Sequence, residues 1–256
     1  MAEGRQDATI MVAYLAQKER TDEALLAATA KADQLLNEIE RMVAMNCTAV
    51  DIAYTPADLY RLKREGKKAI MLGIENGYAI GKDLTNVERF RNRGVVYMTL
   101  CHNGNNDICG SARYNDEYIG VTPFGEQVIR EMNRIGMMVD LSHAGEQTFY
   151  DTLDISSKPV VCSHSSSRAL CDHPRNLTDE QLKAIARKGG VVQVCLYSGF
   201  LRTDAPATIC DAIEHLHHMV NIMGIEHVGI GTDFDGDGGI IGCNDSSELI
   251  NLTRRM

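Results

Sequence analysis

A chain of 256 residues, 44% hydrophobic and 24% charged, carries enough apolar material for one large α/β domain. A formal charge of −9 with no basic run excludes a phosphate-neutralising nucleic-acid surface. No apolar stretch could span a bilayer, no basic-then-apolar leader opens the chain, and its eight cysteines contain no CxxC pair. The expectation is a single domain, 1–256, in a reducing cytoplasm, with neither a membrane nor a nucleic acid as partner.

Ala8 to Leu15 (ATIMVAYL) is the first strand-like run. Thr21 then caps a long helix whose apolar positions include Leu25, Leu35, Ile39 and Val43. Thr55-Pro56 opens a second helix and Gly66 closes it. Ala69 to Glu75 reads as a strand, followed by a helix through Val87 and Phe90, and Val95 to His102 as the next strand. A Gly/Asn-rich loop over 102–120 leads to Thr122-Pro123 and a helix carrying Val128, Ile129 and Met132. Strands over 137–143 and 159–165 flank a short helix. Thr178 and Gln181 have capping-box spacing for a helix ending at Gly189-Gly190. Val191 to Tyr197, a helix over 207–223, a strand from His227 to Asp233 and a short helix from Ser246 complete the chain.

Strands alternating with helices predict parallel pairing with crossover helices. With no GxGxxG loop and no Walker GK[ST] motif, the even spacing points to a (β/α)₈ TIM-type barrel. Seven strands predict a barrel short of one β/α unit.

Period-2 phasing places a polar residue at the C-terminal end of five strands. Glu75, His102, His143, His164 and Asp233 each fall in step with an apolar or small face. Parallel α/β folds place their chemistry at that end. Imidazoles with carboxylates suit Zn²⁺ or a similar divalent ion. Gly73 and Gly231, beneath Glu75 and Asp233, leave room for a cofactor or substrate. Arg175, in the loop after His164, either clamps a substrate carboxylate or is a solvated loop arginine. His215 and His218 share a helix face with no evident carboxylate partner and are expected to be solvated. Asp233-Phe-Asp235-Gly-Asp237-Gly238 opens like an EF-hand, but Asn244 stands where its last ligand should be and a strand precedes it.

The runs GIENGYAIG, VVYMTLCHN, REMNRIGMMVDLSH, VVCSHSSSRALCDHPRN, GGVVQV and GIGTDFDG together resemble the membrane (renal) dipeptidase family of zinc metallopeptidases. The resemblance implies a metal-dependent barrel, commonly homodimeric, that hydrolyses dipeptides. It assigns Glu75 as a carboxylate bridging two zinc ions, and His143 and His164 as ligands of one of them. His102 would contact the substrate and the tetrahedral intermediate, Arg175 would hold the substrate carboxylate, and Asp233 would act beside the attacking water. The family's first strand carries a His-x-Asp pair, yet no histidine precedes His102, so the resemblance implies that the first strand and the closing helices of the barrel are missing from this chain. A fragment of a complete enzyme, retaining one zinc site of two, is therefore the expectation. The alternative is an impaired or non-catalytic metal-binding homologue. A different barrel amidohydrolase would need a His-x-His strand and a strand-end lysine that this chain does not show.

Overall fold

The structure is a computed structural model and describes residues 1–114 and 119–256. The Gly/Asn-rich loop of the sequence reading thus includes four residues, 115–118, that lie outside the described residues. Contacts divide the chain into two compact units. One is Asp7–Ser157, and the other is Lys158–Met256 together with Met1–Gln6. Each is an α/β arrangement of parallel strands.

The first unit runs β1 (Ala8–Tyr14), α1 (Asp22–Met45), β2 (Val50–Ile52), α2 (Pro56–Arg64), β3 (Lys68–Glu75), α3 (Thr85–Asn92), β4 (Val95–Thr99), α4 (Pro123–Ile135), β5 (Met138–Asp140) and α5 (Glu146–Ile155). Local chemistry sets the helix starts. Thr21 accepts from Ala24 N–H, Thr55 and Asp58 form a reciprocal capping box, and Thr122 accepts from Gly125 N–H with Pro123 in the first turn. Gly136 ends α4 at φ 72°, a left-handed turn that a Cβ would strain. In α1, Leu25, Ala28, Ala32, Leu36 and Val43 form the buried stripe.

β3 is the central strand of this unit. It pairs with β1 from Ala69 to Glu75, with β2 along its first half and with β4 along its second. β5 continues the sheet beyond β4. Ile70, Leu72 and Ile74 are at most 2% exposed, and Ala69 is equally hidden, so both faces of the strand are covered. That explains its nearly unbroken apolar run.

The second unit contains β6 (Val161–Cys162), α6 (Asp179–Arg187), β7 (Val191–Cys195), α7 (Ser198–Leu201), α8 (Ile209–Met223), β8 (Val228–Gly231) and α9 (Leu249–Arg255). β7 pairs in parallel with β6 and with β8. Thr178 and Gln181 do form the capping box that begins α6.

Two differences from the sequence reading follow from backbone geometry. The described residues form eight strands rather than seven, because the three-residue β2 is too short to show a period. Several strands also stop early: β4 at Thr99, β5 at Asp140, β6 at Cys162 and β8 at Gly231. His143 (φ 70°) and Asp233 (φ 55°) adopt left-handed backbone, which breaks a ladder. Alternation along a strand therefore places Glu75 alone among the five polar residues; the others sit in the turns beyond. No helix among the described residues is long and apolar enough to cross a membrane.

Candidate metal centre

In the first unit, Glu75 closes β3 and its successor is held firmly. Asn76 is fully buried at φ 88°, and its amide nitrogen donates to the Leu15 carbonyl (3.0 Å) and to Gln17 Oε1 (3.2 Å). Its oxygen accepts from Tyr78 N–H (3.1 Å) and from Asn106 Nδ2 (3.0 Å). Asn106 takes the N–H groups of Ile108 and Cys109 on its own oxygen. A bonded pair of buried amides thus joins the turn after Glu75 to the loop after His102.

His143 and His102 face the same carboxylate. His143 is 6% exposed, and its Nε2 lies 3.2 Å from Glu75 Oε1. His102 Nε2 is 3.9 Å from that oxygen. The two imidazoles stack with centroids 4.1 Å apart, and Tyr14 meets His102 edge-on at 4.8 Å. His143 Nδ1 lies 3.1 Å from Asn103 Oδ1. An amide oxygen only accepts, so a proton on Nδ1 would satisfy this contact and leave Nε2 to face Glu75. A ring nitrogen and a carboxylate oxygen rest at that distance when a cation, a proton or a metal ion, lies between them. Below this cluster Asp140 is buried; its carboxylate accepts from Thr99 Oγ1 (2.6 Å) and Ser142 N–H (3.1 Å), bracing β4 against β5.

The second unit brings together the other three predicted residues. His164 lies two residues beyond β6, 8% exposed, with Nδ1 2.8 Å from Ser163 Oγ. Arg175 is 3% exposed, and its Nη2 donates to the His164 carbonyl at 3.3 Å. Its guanidinium carbon is 5.3 Å from the Phe200 ring centroid. The solvated-loop alternative for Arg175 is thereby overturned. Asp233 is partly buried, with Oδ2 3.8 Å from the Cys195 thiol.

Burial raises the Asp233 carboxyl to about 6, against the opposing charge of Arg175 and the Cys195 contact, with Asp237 and Asp235 adding to the rise. The folded chain therefore holds this proton more tightly than the unfolded one. Stability from this group is present at low pH and falls as pH rises from the unfolded value to about 6. Asp233→Asn should stabilise the metal-free protein by about 2 kcal/mol at pH 7.5, allowing for partial solvation, and by little at pH 4. Urea unfolding of both proteins at the two pH values measures this; an equal difference at both would exclude the raised carboxyl.

Two expectations are corrected by packing. The space above Gly73 is occupied by Val12, Tyr97 and Ile10 side chains, and a Cβ on Gly231 would strike the Ser163 carbonyl. These glycines admit neighbouring strands, not a cofactor. His215 is not solvated: it is 1% exposed, accepts from Ser167 N–H (3.1 Å) and bonds the Leu201 carbonyl (3.1 Å). Its neighbour His218 does have a carboxylate partner, Asp179 Oδ1 at 2.7 Å. In α8 the apolar stripe of Ala212, Leu216 and Met219 carries His215 inward with it.

Asn76, Asn103, Asn106 and Asp140 escaped the sequence reading. The density of asparagine in HNGNN was the available signal, because asparagine side chains bond nearby backbone where a turn needs partners.

Parallel strands followed by loops that present imidazoles, carboxylates and a buried arginine define an α/β protein of the metal-site class. The chain belongs to the membrane dipeptidase family (Peptidase family M19), whose profile matches residues 1–256. It is 41% identical over 179 residues to an uncharacterized dipeptidase of Schizosaccharomyces pombe, covering 68% of this chain and 43% of that one. It is 34% identical over 226 residues to the dipeptidase tcpJ of Claviceps purpurea, covering 87% and 53%. The chain thus spans about half the length of the curated relatives it matches. Among solved structures, the probable dipeptidase PvdM of Pseudomonas aeruginosa superposes with TM-score 0.94 at 26% identity, covering 99% of this chain and 80% of that one. A metallo peptidase of Rhodobacter sphaeroides, liganded with a phosphinate mimic of the dipeptide L-Ala-D-Ala, gives 0.91 at 25% identity, covering 100% and 81%.

Proposed function

We propose that residues 1–256 act as one hydrolase domain, a (β/α)₈-type barrel in architecture, that cleaves dipeptides with the help of a divalent metal ion. Glu75 and His143 are the proposed ligands from the first unit, and the family likeness adds His164. Zinc suits this mixture of imidazole and carboxylate donors. The observation that carries the reading is His143 Nε2 set 3.2 Å from the Glu75 carboxylate, with its other nitrogen 3.1 Å from Asn103 Oδ1. Membership of the whole chain in the family supports it.

When bound, such an ion supplies Lewis acidity toward a carbonyl and a more acidic water. The chain's own residues account for the rest. Arg175 pairs with the free carboxylate of the substrate, which limits substrates to short peptides. His102 donates to the oxygen on which charge develops as the carbonyl is attacked. Asp233, with its carboxyl raised to about 6, is ionised at neutral pH yet basic enough to take a proton from water and pass it to the leaving amine. The dipeptide mimic held by the Rhodobacter sphaeroides relative supports a substrate with a D-residue at its C-terminal side.

The zinc-loaded chain is expected to release free alanine from L-Ala-D-Ala; full metal loading without turnover would overturn the assignment. For residues 1–256, which hold no histidine before His102, one ion is proposed. Elemental analysis finding two tightly held ions would contradict this. The eight free thiols suit a reducing compartment such as the cytoplasm, and a homodimer is proposed from the family likeness.

A further inference from the structure

We propose that Asn103 is a positioning residue that fixes the tautomer of His143, and so decides which nitrogen is offered to the metal ion. The inference rests on the metal-site reading above and extends it to a residue outside the proposed ligand set. The His143 backbone is already pinned: its carbonyl accepts from Ala112 N–H at 2.7 Å and from Ser111 Oγ at 3.3 Å. What the backbone leaves open is which ring nitrogen carries the proton. Asn103 Oδ1, 3.1 Å from Nδ1, settles that choice, because an amide oxygen can only accept.

With the proton on Nδ1, Nε2 presents its lone pair beside Glu75 Oε1, 3.2 Å away. With the proton on Nε2, the imidazole would donate to Glu75 and close the position to a metal. Outer partners of this kind orient a ligating imidazole and raise its basicity.

The loop that carries Asn103 is fastened by other bonds. Ser111 Oγ donates to the His102 carbonyl at 2.6 Å, Ser111 N–H to Asn105 Oδ1 at 3.0 Å, and Gly104 N–H to the Arg113 carbonyl at 3.1 Å. Removing the Asn103 amide therefore leaves the loop in place and isolates the tautomer as the variable.

The test titrates the chelator-stripped full chain with Zn²⁺ alone against a chromophoric competitor, and reads the His143 tautomer of the metal-free protein by long-range ¹H–¹⁵N spectroscopy. Asn103→Ala is expected to weaken Zn²⁺ binding by about 10–100-fold and to mix the two tautomers. Asn103→Asp, which keeps an acceptor in place, should restore both readouts. Wild-type affinity with an unmixed tautomer in Asn103→Ala would overturn the inference, as would an Nε2–H tautomer in the wild-type chain. The wild-type tautomer needs no variant and decides the matter if Asn103→Ala does not fold. His143→Ala separates the two levels: if it keeps full Zn²⁺ affinity the metal-site reading itself fails, whereas its loss beside an unaffected Asn103→Ala sinks the role of Asn103 alone.

Discussion

Glu75→Gln is expected to abolish dipeptide hydrolysis and to leave the chain unable to hold a metal ion through dialysis. The change is nearly isosteric, so strand β3 should be undisturbed and the loss should report charge. An amide at this position offers His143 and His102 a neutral oxygen, or a donor, where they now face a carboxylate. Losing the proposed metal ligand should cost at least about 10³-fold in kcat/KM, roughly 4 kcal/mol. Metal content by elemental analysis and initial rates on L-Ala-D-Ala measure it together. A metal-loaded Glu75→Gln chain with near wild-type turnover would remove this carboxylate from the site.

The second large effect concerns recognition rather than the metal. Arg175→Ala should raise KM for dipeptides about 100-fold, roughly 3 kcal/mol, with much less change in kcat. The basis is the near-complete burial of its guanidinium between Phe200 and the His164 carbonyl. A guanidinium fork held in that position matches the two oxygens of a substrate carboxylate. Arg175→Lys should recover part of the affinity but not the two-pronged geometry. Dipeptide amides, which lack the charge, should be poor substrates of the wild type and lose little further in the variant. An unchanged KM for the free dipeptide would take Arg175 out of substrate binding.

The helices were legible because their starts are local events. A threonine oxygen and an N–H three residues on suffice at Thr21, Thr55, Thr122 and Thr178. Apolar runs likewise marked β1, β3, β4 and β7, and in β3 cover on both faces leaves the middle of the strand no polar position to spare. The candidate residues lie at or just beyond the C-terminal ends of β3, β4, β5, β6 and β8. Alternation does not carry through to His102, His143, His164 and Asp233, because the chain leaves the ladder before each of them. His215 shows the converse: no local pattern distinguishes a histidine that bonds Ser167 and Leu201 in the interior from one on the surface.

By itself the sequence determined where the helices begin, which faces of them are apolar, and which residue types could bear metal chemistry, all of which depend on neighbours a few positions away. Only the tertiary structure decided that the imidazole of His143 meets Glu75 with one nitrogen and Asn103, forty positions earlier in the chain, with the other. It also decided that Arg175 is buried and that burial raises the Asp233 carboxyl. Proton positions, ligand orientation and desolvation arise from contacts between distant segments, and such contacts leave no period in the chain that makes them.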